Sequence, residues 1–197
     1  MRRLLACLLA SMVSVGHAQE GVYIGLGYGE FDFEEQFVDE VLGRPVSDSV
    51  SSYKLFGGFE INQYFAIEVS YGRDDSSQQS ISTNFPSVGD VFYLVDIDFT
   101  KTAVRAVGQL PLDSVVLLAG LGYFSADQDF AEFAQLECCG PVSNSGTVSL
   151  DGMMAQLGVE WRFGRFGTRY GFRLEYEWWD MNEIDASTVG LAFSYGF

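Results

Sequence analysis

The sequence predicts an all-β chain, an eight-stranded antiparallel up-and-down transmembrane β-barrel behind a cleaved signal peptide. Three observations carry this. Segments of period-two alternation recur along the chain, the connections between them alternate strictly between short and long, and the face opposite the apolar one is built from small residues. Composition agrees, because 22 Gly, 17 Phe and 10 Tyr against 4 Pro favour pleated segments over helices.

Arg2 and Arg3 precede an apolar run from Leu4 to Val15, and Gly16-His17-Ala18 puts small residues before Gln19. This is the pattern of a secretory signal, so residues 1–18 are expected to be removed and 19–197 to form the barrel domain. The run is too short to span a membrane as a helix. A lipoprotein signal ending at Cys7 is disfavoured, since Cys7 precedes most of the apolar run. Downstream, the longest apolar stretch is Val115 to Phe124, ten residues interrupted by glycine, against the roughly 18 a helical span needs. A helical membrane protein is excluded. Without the signal, nine basic residues face 27 acidic ones, a net charge of −18. Such a chain repels phosphate, so no nucleic-acid partner is expected.

The strands follow in order. Val22, Ile24, Leu26 and Tyr28 alternate with Tyr23, Gly25, Gly27 and Gly29. Tyr53, Leu55, Gly57 and Phe59 alternate with Lys54, Phe56, Gly58 and Glu60. Phe65, Ile67, Val69 and Tyr71 alternate with Ala66, Glu68, Ser70 and Gly72. From Val95 to Leu110 the apolar phase shifts, odd at Val95, Ile97 and Phe99 but even at Val104 and Ala106, and a β-bulge is expected between the halves. Val115, Leu117, Leu121 and Tyr123 form a weaker fifth alternation. Ala155, Leu157, Val159 and Trp161 form the sixth, and Tyr170, Phe172, Leu174, Tyr176 and Trp178 the seventh. The eighth runs Val189, Leu191, Phe193, Tyr195 and Phe197 against Thr188, Gly190, Ala192, Ser194 and Gly196.

Residues 61–63, 110–114 and 163–167 make short connections. Residues 34–52, 73–91 and 125–148 read as long loops, and 180–186 as a moderate one. Short periplasmic turns and long external loops give this rhythm in a membrane barrel. The long loops hold much of the acid, including Glu34, Glu35, Asp39, Glu40, Asp74, Asp75, Asp127, Asp129, Glu132 and Glu137.

A soluble lipocalin-like carrier would turn the apolar face inward and line its exterior with Lys, Glu and Thr. Here the minor face is Gly, Ala and Ser with sparse charges, which suits the cramped interior of eight strands. Tyr28, Tyr71, Tyr123 and Trp178 fall at the external strand ends, and Phe65, Trp161, Phe163, Tyr170, Tyr195 and Phe197 at the opposite ends. Two interfacial girdles are expected.

The last strand ending in Phe197, Gly-Leu-Gly-Tyr at 120–123 and Leu-Glu-Tyr-Glu at 174–177 resemble the OmpA/OmpX-type outer-membrane β-barrel superfamily. The resemblance covers nearly all of 21–197 and implies architecture rather than activity. It implies that Tyr195 and Phe197 belong to a C-terminal signal read by the barrel-assembly machinery, and a setting of outer-membrane lipid and lipopolysaccharide. Because the sequence stops on its last strand, the peptidoglycan-binding domain of full-length OmpA is not expected.

His17, the single histidine, leaves with the signal, so the mature chain has no Ser-His-Asp arrangement and no imidazole ligand. Glu175 and Glu177 could serve as an acid/base pair, but an internal barrel strand favours a structural role. No enzyme, cofactor or metal site is expected. Glu68, Lys101, Arg105, Arg173 and Glu175 project inward, where charges persist only when paired. They are expected to form an ion-pair network that closes the lumen; alternative pairings would make it a gate. Cys138 and Cys139 could form a strained vicinal disulfide, bridge to another chain, or stay free thiols. The acidic loops match no defined calcium loop. The expected function is a monomeric outer-membrane barrel with a structural or surface-interaction role through its acidic external side. A narrow passive channel is the alternative, ahead of a soluble carrier.

Overall fold

The structure, a computed structural model, describes residues 21–35, 46–85, 89–136, 140–164, 169–181 and 184–197. Residues 1–18, expected to be a signal peptide, and the Cys138-Cys139 pair lie outside these. The described chain is built from strands: β1 (Val22–Glu35), β2 (Val46–Asn62), β3 (Phe65–Asp74), β4 (Ser77–Phe85), β5 (Gly89–Leu112), β6 (Val115–Leu136), β7 (Gly140–Phe163), β8 (Arg169–Asp180) and β9 (Ile184–Gly196). Strands consecutive in the chain pair antiparallel except β3 and β4, and β1 closes on β9 from Tyr23↔Gly196 to Glu35↔Ile184. β3 pairs with Thr100–Gly108 of β5, and β4 with Gly89–Ile97 of the same strand. β3 and β4 are thus two lengths of one wall strand interrupted at Asp75-Ser76, and nine elements make a ring of eight.

Two of the short connections, 61–63 and 110–114, are tight turns, and the third, 163–167, falls largely outside the described residues. At the first, the Asn62 side-chain oxygen accepts the Tyr64 backbone N–H at 2.8 Å, the local bond that suits Asn to turns. At the second, Asp113 adopts φ 56°, a left-handed conformation that short polar residues tolerate. The long loops are corrected. Among the described residues, nearly all of 34–52, 73–91 and 125–148 continues the strands: β1 runs to Glu35, β6 to Leu136, and β4 lies wholly inside the expected second loop.

The expected bulge in β5 is also corrected. Its pairing with β6 is unbroken from Val91↔Leu136 to Leu112↔Val115. Val95, Ile97, Phe99, Lys101, Ala103, Arg105 and Val107 are all buried on one side. What changes along β5 is the medium outside the wall, not the phase of the strand. Where the wall meets lipid, Val104 is 52% exposed while Arg105 is buried. Beyond the membrane the wall meets water, so apolar residues turn in and Asp96 and Asp98 take the outward positions. β1 makes the same exchange, from outward Tyr28 to outward Glu30 and buried Phe31. β6 makes it between Tyr123 and buried Phe124, and β8 between Trp178 and buried Trp179.

The outward Leu, Ile, Val and Phe of all eight wall strands form one band. On β8 it runs from Tyr170 to Trp178, eight steps of about 3.3 Å, or ~20 Å of height at a tilt of ~40°. Aromatic rings contact one another along its lower edge, Phe163 with Tyr170, Tyr170 with Tyr195 and Tyr195 with Phe197. Tyr28, Tyr53, Tyr71, Tyr123 and Trp178 mark the upper edge.

Candidate functional site

Alternation aims every second side chain into the ring, and small residues decide which large ones fit. An added Cβ at Gly58 would lie 2.2 Å from the Tyr23 ring, and one at Gly25 2.2 Å from Phe56. These two glycines are the space that the buried Tyr23 and Phe56 occupy. Tyr23 in turn donates its hydroxyl to Glu68 Oε2 at 2.9 Å.

Around this pair lies a continuous charge network. Glu68 of β3 is fully buried and receives Arg105 of β5 through Nε at 2.7 Å and through Nη2, and Arg173 of β8 at 2.9 Å. Arg105 also reaches Glu177, and Arg173 reaches Glu160 at 2.9 Å. Lys54 binds Glu175 and, at 2.8 Å, Glu177. Gln156 donates to Glu175 at 2.7 Å. Towards the periplasm, Arg162 joins Glu160 at 2.6 Å and Glu60 at 3.3 Å, and Arg169 joins Glu60 at 2.8 Å. Towards the outside, Lys101 pairs with Asp74 at 2.8 Å, its ammonium 3.5 Å from the Phe31 ring centroid. Six bases thus meet six acids, and every one has an opposite charge within 4.0 Å. Neutrality is what makes so many buried charges tolerable.

All five lumen residues expected from sequence are buried in this network. Within it Arg173 approaches Glu175 only to 3.8 Å, while Glu68 and Glu160 hold it more closely. Asp74, assigned from sequence to an external loop, is corrected to the buried partner of Lys101. Lys54, Glu60, Glu160, Arg162, Arg169 and Glu177 were missed as members. Each stands on the small-residue side of its alternation, which was the available signal.

Above the charges sits a second layer that sequence reasoning did not anticipate. Phe31, Phe33, Val95, Ile97, Phe99, Phe124, Met154, Trp179 and Met181 are buried as one cluster. Phe31, Phe33 and Phe99 contact each other at 5.2–5.8 Å between ring centroids. Between the layers is a cavity of about 20 Å³ bordered by Lys54, Lys101, Glu177 and Trp179, room for about one water. On the outer surface, acids of β6 accept from hydroxyls of β7: Ser149 donates to Asp127 at 2.8 Å and Thr147 to Asp129. Tyr195 and Phe197 lie where β9 meets β1, and the Phe197 N–H donates to the Val22 carbonyl at 3.1 Å.

Gly58→Ala is expected to force Tyr23 off Glu68 and destabilise the barrel by about 1–3 kcal/mol, the usual penalty of overpacking. Urea unfolding from lipid vesicles measures this, and unchanged stability would show that the ring does not fill that space.

A family model described as outer membrane protein beta-barrel domain matches residues 4–197. Among solved structures, Ail, the attachment invasion locus protein of Yersinia pestis, in complex with the heparin analogue sucrose octasulfate, is 18% identical with a TM-score of 0.57. That match covers 91% of this chain and all of Ail. Neisserial surface protein A, NspA, is 11% identical with a TM-score of 0.56, covering 89% of this chain and 97% of its own. OprG of Pseudomonas aeruginosa is 11% identical with a TM-score of 0.51, covering 91% and 97%. At these identities the likeness is one of fold. No curated protein matches the sequence.

Proposed function

The chain belongs to the outer membrane protein beta-barrel domain family and resides in the outer membrane, and we propose that it acts there as a closed, non-enzymatic barrel whose acidic outer extension engages cationic partners. The observation that carries this reading is the division of charge. Inside, six bases and six acids cancel. Outside, the strand segments beyond the upper girdle carry fourteen further acidic residues among the described ones. Apart from the Lys101–Asp74 pair, Arg73 is their only base. A field of one sign on a rigid wall attracts the opposite sign from beyond contact distance.

The filled lumen argues against a passive channel, because ions would have to cross both the paired charges and the apolar cluster. The heparin analogue bound to Ail is a polyanion, and an acidic extension would repel such a ligand. Lipid and lipopolysaccharide surround the apolar band in this reading, and Tyr195 and Phe197 serve the barrel-assembly machinery during insertion.

Barrels in lipid nanodiscs are expected to bind polylysine, more weakly as salt rises because exposed charges are screened, and not to bind sucrose octasulfate. Asp127→Asn with Asp129→Asn should reduce polylysine binding. Salt-independent binding, or preference for the polyanion, would overturn the proposal.

A further inference from the structure

We propose that the part of the wall beyond the membrane associates with a second copy of this chain, the upper length of β7 in one copy pairing with β4 of the next. Pairing makes both strands available. β8 accompanies β7 only from Phe163 to Met153, whereas β6 accompanies it all the way to Gly140. An added Cβ at Gly152 would lie 1.9 Å from the Asp180 carbonyl oxygen, so the walls touch there and part above it. Residues 140–151 then form the edge of a sheet ordered β7-β6-β5-β4, with β4 the opposite edge. On that side the upper part of β2 is paired with β1 and only approaches the start of β4, the last backbone hydrogen bond across being from Asp75 N–H to Ser51 O at 2.8 Å.

The distribution of charge in this sheet is the reverse of ordinary protection. Free edges in natural proteins are blunted with charges. Here the inner strands carry most of them, Asp90, Asp96 and Asp98 on β5 and Asp127, Asp129 and Glu132 on β6. The edge Ser77–Phe85 carries none, and the edge 140–151 carries only Asp151, at its base, where Tyr123 donates to it. Residues 141–149 are all exposed, as are Gln78 and Ser80. A partner strand of the same acidic chain therefore meets neutral Ser, Thr, Asn and Gln. Pairing β7 with β4 of a neighbour leaves the two acidic strands three strand spacings apart, ~14 Å, beyond the Debye length of ~8 Å at physiological salt.

Direction selects which edges pair. β4 runs away from the membrane and β7 towards it. All copies share one orientation in the membrane, so β7 meets a neighbour's β4 antiparallel but a neighbour's β7 only parallel, the slightly weaker ladder. The contact uses two different surfaces, so it propagates into rows or rings rather than stopping at a pair.

Two variants separate the edges: Ser143→Asp with Ser145→Asp on β7, and Gln78→Asp with Ser80→Asp on β4. Chains labelled at the mature amino terminus with donor or acceptor dyes are reconstituted in lipid vesicles, with folding checked by gel mobility shift. Energy transfer above the level of random mixing is expected for the native chain and should vanish for either variant alone. Mixing the two variants should restore transfer between unlike chains, since each keeps one complementary edge. Native chains at the random level, transfer retained by either variant alone, or no recovery on mixing would each overturn the proposal.

Discussion

Arg105→Ala is expected to lower the unfolding free energy of the barrel by about 3–5 kcal/mol, the range for removing one partner of a buried ion pair. Arg105 is 2% exposed and holds both Glu68 and Glu177. Its loss leaves Glu68 with Arg173 as its one paired cation and Glu177 with Lys54, with two carboxylates facing a shared gap. Adding Glu68→Gln restores neutrality and should recover part of the loss, because residues in contact do not act additively. Urea titration in vesicles reads single and double variants on one scale. Strictly additive losses would mean that Arg105 and Glu68 contribute separately and that the network is not a unit.

The second large effect tests where the membrane ends. Leu121 is 67% exposed on the outward face of β6, within the apolar band. Leu121→Arg is expected to cost about 2–4 kcal/mol, the penalty for a basic side chain near the bilayer midplane. Asp129 lies eight residues further along the same strand and face, past the exchange at Tyr123 and Phe124. Asp129→Arg should change stability by no more than ~0.5 kcal/mol, as for an ordinary surface position. Comparable losses at both sites would move the lipid boundary to the end of the strand.

The parts of the fold legible in the sequence are those where one rule, apolar out and small in, holds for a whole segment. β8 and β9 obey it nearly throughout, so their faces, the girdle residues and the inward Arg173 and Glu175 could be read directly. β5 could not, because the rule inverts at the membrane surface while the strand continues. Reading Val95, Ile97 and Phe99 as lipid-facing required a bulge; they face the interior of a wall surrounded by water. The same inversion hid the Phe31, Phe99 and Trp179 cluster and made extended hairpins look like acidic loops. In the lumen, alternation shows that a side chain points inward but not at what height. Register supplies the height: Gly58↔Glu68 and Glu68↔Arg105 place β2, β3 and β5 at one level. This brings Glu68 to Arg105, and no spacing within a single strand encodes it.

Closure of the lumen by two unlike layers is the central claim, and conductance of the purified barrel in planar lipid bilayers tests it most directly. The filled lumen predicts no stepwise current at moderate voltage and neutral pH, with the same silence in high salt, since the apolar layer is not screened. Stable, ohmic single-channel openings by the native protein would show a continuous water path through the Phe31–Phe99 cluster and the charge network, and would contradict the account.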